Sequence, residues 1–175
     1  MERYKFYKVR LPKPYYFLAG GVLIALGAGA YAILHHSQQD TAPTYTTILP
    51  ENHAITDLGG WQRISPPEKD PVFAYSDTLK GVAISVSQQP LPESFAADTG
   101  THIRQLAESY NATTQIDANG TTVYIGRSAR GPESVIFTKD GLLVLIKSQG
   151  PVDQKIWAQY VAQLVNPRTN RTPTF

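Results

Sequence analysis

The chain has 175 residues, no cysteine, and 16 Lys/Arg against 14 Asp/Glu, for a formal net charge of +2. The cations are unevenly placed: residues 1–14 hold five Lys/Arg and one Glu, leaving eleven against thirteen in the remainder. That remainder is mildly acidic, so no nucleic-acid partner is expected, since phosphate neutralisation favours a concentrated cationic face. The absence of cysteine excludes thiol enzymes, zinc–thiolate sites, disulfide scaffolds and lipoprotein acylation.

Arg3, Lys5, Lys8, Arg10 and Lys13 form a basic arm over 1–14, ahead of an uncharged, proline-free run from Tyr15 to Leu34. At about 1.5 Å per residue that run matches a hydrocarbon core of about 30 Å, so one transmembrane helix is expected over 15–36. The positive-inside bias then expects a single-pass protein of the cell membrane, with a cytoplasmic N-terminus and an extracytoplasmic C-terminal domain. Ala28-Gly29-Ala30 and Ala30-Tyr31-Ala32 also fit the small-x-small pattern of a cleaved signal, but the apolar run continues past both through Ile33 and Leu34. Gly21, Ala25 and Gly29 recur at four-residue spacing, a stripe that allows close helix approach and a homodimer through the membrane helix.

Residues 37–54 are polar, Thr-rich and interrupted by Pro43 and Pro50, the composition of a flexible tether. Short strands are expected at Trp61–Ile64, Val72–Tyr75 and Val82–Ser87, with Asp77–Gly81 joining the last two. From Asp98 to Tyr110 the period changes, placing Ile103, Leu106, Ala107 and Tyr110 on one helical stripe. Strand signals then return, with Asn119-Gly120 and Lys139-Asp140-Gly141 as hairpin connectors around Gln115–Ala118, Thr121–Ile125, Glu133–Thr138 and Leu142–Ser148. Leu142–Ile146 is apolar at every position, as a central strand covered on both sides would be. A closing helix over Val152–Val165 carries Ile156, Trp157, Tyr160, Val161 and Leu164 on one face, and 166–175 reads as a disordered tail. Short turns between strands require antiparallel pairing. The expected fold class is therefore α+β: an N-terminal transmembrane helix, then one antiparallel-sheet domain of about seven strands over 55–165 with two packed helices.

Candidate functional residues are few. In the loop Gly126–Pro132, Arg127, Ser128 and Arg130 place two guanidinium groups and a hydroxyl where a carboxylate or phosphate could be bound. The loop lacks the Gly-Lys-Ser/Thr ending of a P-loop, and its second glycine falls one place too late for a Gly-x-Ser-x-Gly elbow. His102, four residues after Asp98, would meet it on a helix as an acid–base pair. No spacing matches a metal site, and no cofactor or catalytic set is expected. Asn111-Ala-Thr113, Asn119-Gly-Thr121 and Asn170-Arg-Thr172 match the glycosylation triplet.

The runs Phe73-Ala-Tyr-Ser-Asp77, Ile84–Pro92, Val123-Tyr-Ile-Gly126 and Val135–Ser148 resemble small uncharacterised single-pass proteins of ultra-small, host-associated bacteria. More distantly, an early aromatic hairpin, a middle helix, a meander with an Asp-Gly turn and a closing Trp-containing helix are similar to PsbP-like domains. The resemblance implies a non-catalytic binding or assembly role and carries over no catalytic residue. Together these readings expect a membrane-anchored extracytoplasmic domain that binds an envelope protein or a small ligand. The alternatives are an extracytoplasmic hydrolase using Asp98, His102 or the 126–132 loop, and a short-armed transmembrane signalling protein.

Overall fold

The computed structural model describes residues 42–129 and 131–167. A short strand β1 (Leu49–Pro50) precedes β2 (Gln62–Arg63), β3 (Phe73–Leu79) and β4 (Val82–Pro90); helix α1 (Thr99–Ser109) follows. The chain continues with β5 (Thr114–Ala118), β6 (Thr121–Arg127), β7 (Glu133–Lys139), β8 (Leu142–Ser148), helix α2 (Gln154–Gln163) and β9 (Leu164–Val165). Seven strands form one sheet in the order β2-β3-β4-β8-β7-β6-β5, while β1 pairs with β9 apart from it. All pairings are antiparallel.

Three two-residue turns set the register. Lys80-Gly81, Asn119-Gly120 and Asp140-Gly141 all have positive φ at both residues, between 51° and 85°, the geometry whose twist suits a tight hairpin. Leu79 therefore faces Val82, Ala118 faces Thr121, and Lys139 faces Leu142. The first turn differs from the sequence expectation, because Asp77, Thr78 and Leu79 extend β3 instead of connecting it to β4. Strand β8 lies between β4 and β7, and all five residues Leu142–Ile146 are buried.

Alternation along the strands divides the core between two faces. On one, Ile84, Val86, Val123, Val135, Phe137, Val144 and Ile146 pack with Trp157, Tyr160 and Val161 of α2. The other face carries Ile136, Leu143 and Leu145, also buried, and α1 crosses it with Ile103 and Ala107 turned inward. Gly126 lets the turn after α1 come close: a Cβ there would lie 2.7 Å from the Asn111 carbonyl oxygen and 2.8 Å from Ala112 Cα. Asp98 caps α1 by accepting a hydrogen bond from Thr101 N at 3.0 Å. That bond holds its carboxyl below the usual range.

Where the sequence suggests a tether, residues 45–51 form a strap built into the domain. Ile48, Leu49 and Pro50 are buried. The fully buried carboxamide of Gln88 treats Ile48 as a neighbouring strand would: Ile48 N donates to Oε1 at 3.0 Å, and Nε2 donates to Ile48 O at 2.7 Å. The Tyr45 hydroxyl bridges β3 and β4, accepting from Phe73 N at 3.2 Å and donating to the Gln88 carbonyl. Burial pushes that phenol up to about 12.

The expected fold class is corrected in one respect. Among the described residues no helix is long and apolar enough to cross a membrane. Helices α1 and α2 have 11 and 10 residues, about 15–17 Å of rise against the roughly 30 Å a span requires, and each buries one side against the sheet. What the structure supports is an α+β domain of two helices on an antiparallel sheet. The transmembrane element, the bilayer as partner, the homodimer through a membrane helix, the membrane-anchored extracytoplasmic role and the single-pass localisation with a cytoplasmic N-terminus and an extracytoplasmic C-terminal domain have no support in it. The expected span over 15–36, with Gly21, Ala25 and Gly29, lies outside the described residues.

Candidate functional site

The loop between β6 and β7 uses its first arginine internally. Arg127 faces Glu133 across the two strands, and its Nε and Nη2 donate to Glu133 Oε1 at 2.8 and 2.7 Å. Oε2 of the same carboxylate accepts from Val152 N at 3.0 Å and from Trp157 Nε1 at 2.8 Å. The Arg127 side chain is 61% exposed and that of Glu133 1%, so a largely wet cation closes a buried anion whose other oxygen fixes the start of α2. Ser128 is exposed; its N donates to Pro132 O at 2.9 Å and its carbonyl accepts from Gly131 N at 3.0 Å, closing a tight turn. Arg130 lies outside the described residues.

Asp98 and His102 do not form an acid–base pair. The Asp98 carboxylate caps Thr101, while His102 Nδ1 meets the Asp98 backbone carbonyl at 2.8 Å and its ring packs 5.3 Å from Phe95. A second polar group lies between β3 and α2, where Tyr160 OH donates to Asp77 Oδ2 at 3.0 Å and stands 3.4 Å from Tyr75 OH. Burial is the main influence that pushes both phenols well above their ordinary range, so they stay protonated and offer no base. No three His, Cys, Asp or Glu side chains gather to hold a metal ion among the described residues.

The arrangement most open to a ligand lies on the α1 face, near the ends of β8 and β6. Register places Ser76, Ser85, Lys147, Ser134 and Gly126 in one row across five strands, with Ser85 and Ser134 directly opposite Lys147 on either side. Ser76 is exposed, and Ser85, Lys147 and Ser134 are half-buried. The Tyr110 ring, at the C-terminal end of α1, lies over Lys147 with Nζ 4.9 Å from its centroid. Gly126, pressed against Asn111 and Ala112, brings that end of α1 down onto the sheet.

Lys147 is a cation with an aromatic roof and small hydroxyl neighbours but no carboxylate. The one ion pair among the described residues is that of Arg127 with Glu133. Burial lowers the lysine's pKa, with no charged neighbour contributing. The ring face and the C-terminal end of the helix both favour positive charge there. Neither uses the ammonium's three N–H donors, and none of these meets an acceptor among the described residues.

Sequence reasoning missed this row because Ser76, Ser85, Ser134 and Lys147 are far apart in the chain and unremarkable singly. The available signal is local: Lys147 interrupts the apolar run of the central strand on the side that should be covered. No family model, curated protein or solved structure matches the chain. The site is therefore read from its own geometry.

Proposed function

We propose that this domain is a binding module for a small ligand bearing a carboxylate or phosphate group, and that Lys147 receives that group. The observation that carries the reading is a half-buried ammonium beneath the Tyr110 ring, flanked by two serines and without an anionic partner among the described residues. An incoming anion would supply the missing charge and accept hydrogen bonds from Lys147 and the serine hydroxyls. A single such lysine on a mildly acidic body suits a small anion better than a polyanion. Arg127 adds nothing to this site, because it is paired with Glu133 on the opposite face of the sheet.

A Ser–Lys hydrolase is the competing use of the same residues. No hydrogen bond joins Lys147 to Ser85 or Ser134 among the described residues, so neither hydroxyl has its base in reach. Binding is the better supported reading.

The test is thermal unfolding of the full chain in sodium phosphate, sodium acetate and ionic-strength-matched sodium chloride. Near ten times the dissociation constant, phosphate or acetate should stabilise by about 1.4 kcal/mol, a rise of a few degrees, and Lys147→Met should abolish the response. An equal response in Lys147→Met, or an equal effect of chloride, would overturn the proposal.

A further inference from the structure

The Gln88 groove makes a receptor for one particular extended segment, and nothing in its chemistry requires that segment to come from the same chain. Gln88 is fully buried, and both ends of its carboxamide are satisfied by Ile48. Tyr45 satisfies Phe73 N and the Gln88 carbonyl, Leu49 and Pro50 pair with Val165 and Leu164, and Glu51 N donates to Gln163 O at 2.9 Å. An empty groove would exchange these hydrogen bonds for water and expose the apolar surface that Ile48 and Leu49 bury. Residues 42–50 carry no charged side chain, so the part of the strap that enters the groove places no charge there.

The turn that returns the strap to its own domain is lightly built. Residues 51–54 are all exposed. Asn52 has φ 67°, and the turn is held by His53 N donating to Pro50 O at 3.1 Å, by His53 Nδ1 at 3.2 Å from Glu51 O and by Ala54 N donating to Asp57 Oδ2 at 3.0 Å, with no contact to the sheet among these. Opening it releases a non-glycine residue from the left-handed region and costs no core contact, provided the groove is refilled.

We infer that the groove formed by Gln88, Phe73 and β9 accepts residues 45–51 of a second copy, giving a two-fold strap-exchanged dimer in which each Ile48 is bound by its partner's Gln88. Every strap contact is kept, so the balance is set by the turn and by concentration. A short tether gives its own strap an effective concentration of about millimolar. The dimer therefore emerges as protein concentration approaches that range, or at lower concentration when the turn is too short to close.

The absence of cysteine makes the test direct. Leu49 and Val165 are register partners, so Leu49→Cys/Val165→Cys in the full chain can be oxidised to link strap and groove. Isotopically light and heavy chains are co-refolded at about micromolar and about millimolar concentration, oxidised, and the linked peptides identified by mass. Exchange predicts mixed light–heavy 49–165 links in a dimer fraction that grows with concentration; links that stay within one isotope at both concentrations would overturn it. In case the double variant folds poorly, deletion of Asn52 and His53 from the otherwise unchanged chain is measured by native mass. A dimer supports exchange, and a folded monomer refutes it. Neither readout depends on Lys147.

Discussion

Lys139 on β7 and Lys147 on β8 hold matching places on opposite faces of the sheet, each beside the C-terminal end of one helix. Lys139 is answered by the helix itself: its Nζ donates to Val161 O at 2.9 Å and Ala162 O at 3.4 Å, at the end of α2. Lys147 meets the ring of Tyr110 and no carbonyl or carboxylate among the described residues. Burial lowers the pKa of both, so both resist carrying charge, but only Lys139 has strong acceptors in return. The same contrast runs through the two faces. On the α2 side Glu133, Gln88, Tyr160 and Lys139 all have their polar atoms engaged, which is how a structural face is built. On the α1 side the half-buried Lys147 has donors to spare among the described residues.

The strongest way to break this comparison is to remove the anchor of the closed face. Glu133→Ala leaves Val152 N and Trp157 Nε1 without their shared acceptor and frees an exposed Arg127, and chemical denaturation should show a loss of about 2–5 kcal/mol, at about 1–3 for each buried donor left unpaired. A loss under about 1 kcal/mol would place the cluster among weak surface contacts and dissolve the distinction.

Alkaline titration comes next. The Tyr45 phenol is raised from 10.0 to about 12, and burial also raises those of Tyr75 and Tyr160. A folded pKa above the unfolded one means that the contribution is whole below pH 10 and is lost as pH climbs toward 12. Stability should therefore fall through that window in step with tyrosinate absorbance. Tyrosinate appearing near pH 10 with the fold still intact would show that these hydroxyls are not held as described.

The smallest effects sharpen the contrast most. Lys139→Met strips the cap from α2 and should cost about 1 kcal/mol. Lys147→Met should stay within about 0.5 kcal/mol of the parent or be more stable, because burial opposes its charge. Paired denaturation curves decide this, and equal losses for the two would make Lys147 another structural cation.

Much of the framework is legible in the residue order because it is local. Asn119-Gly120 and Asp140-Gly141 announce their turns, Leu142–Ile146 announces the middle of the sheet, and Asp98 announces a helix start. Lys80-Gly81 escapes notice because lysine is an uncommon first residue for such a turn, and its left-handed φ is imposed by the flanking strands. The strap is hidden for a different reason. Tyr45, Ile48 and Leu49 stand among threonines and prolines with no period, and their main polar partner is Gln88, forty residues after Ile48 and just past the end of the expected strand Val82–Ser87, which the structure extends to Pro90. The role of Arg127 is concealed in the same way, since only the fold shows that Glu133 occupies it. The Lys147 row is pure register: five residues that no window of sequence contains.

The pairing of β1 with β9 also has a mechanical consequence. Because these strands run antiparallel, the chain leading into Leu49 and the chain leaving Val165 leave from the same end of the pair. Tension applied across the domain from its two flanks would peel these bonds apart one after another, as a zipper opens, instead of shearing them together. The first thing to yield under load is then the strap, and the seven-stranded sheet behind it is spared.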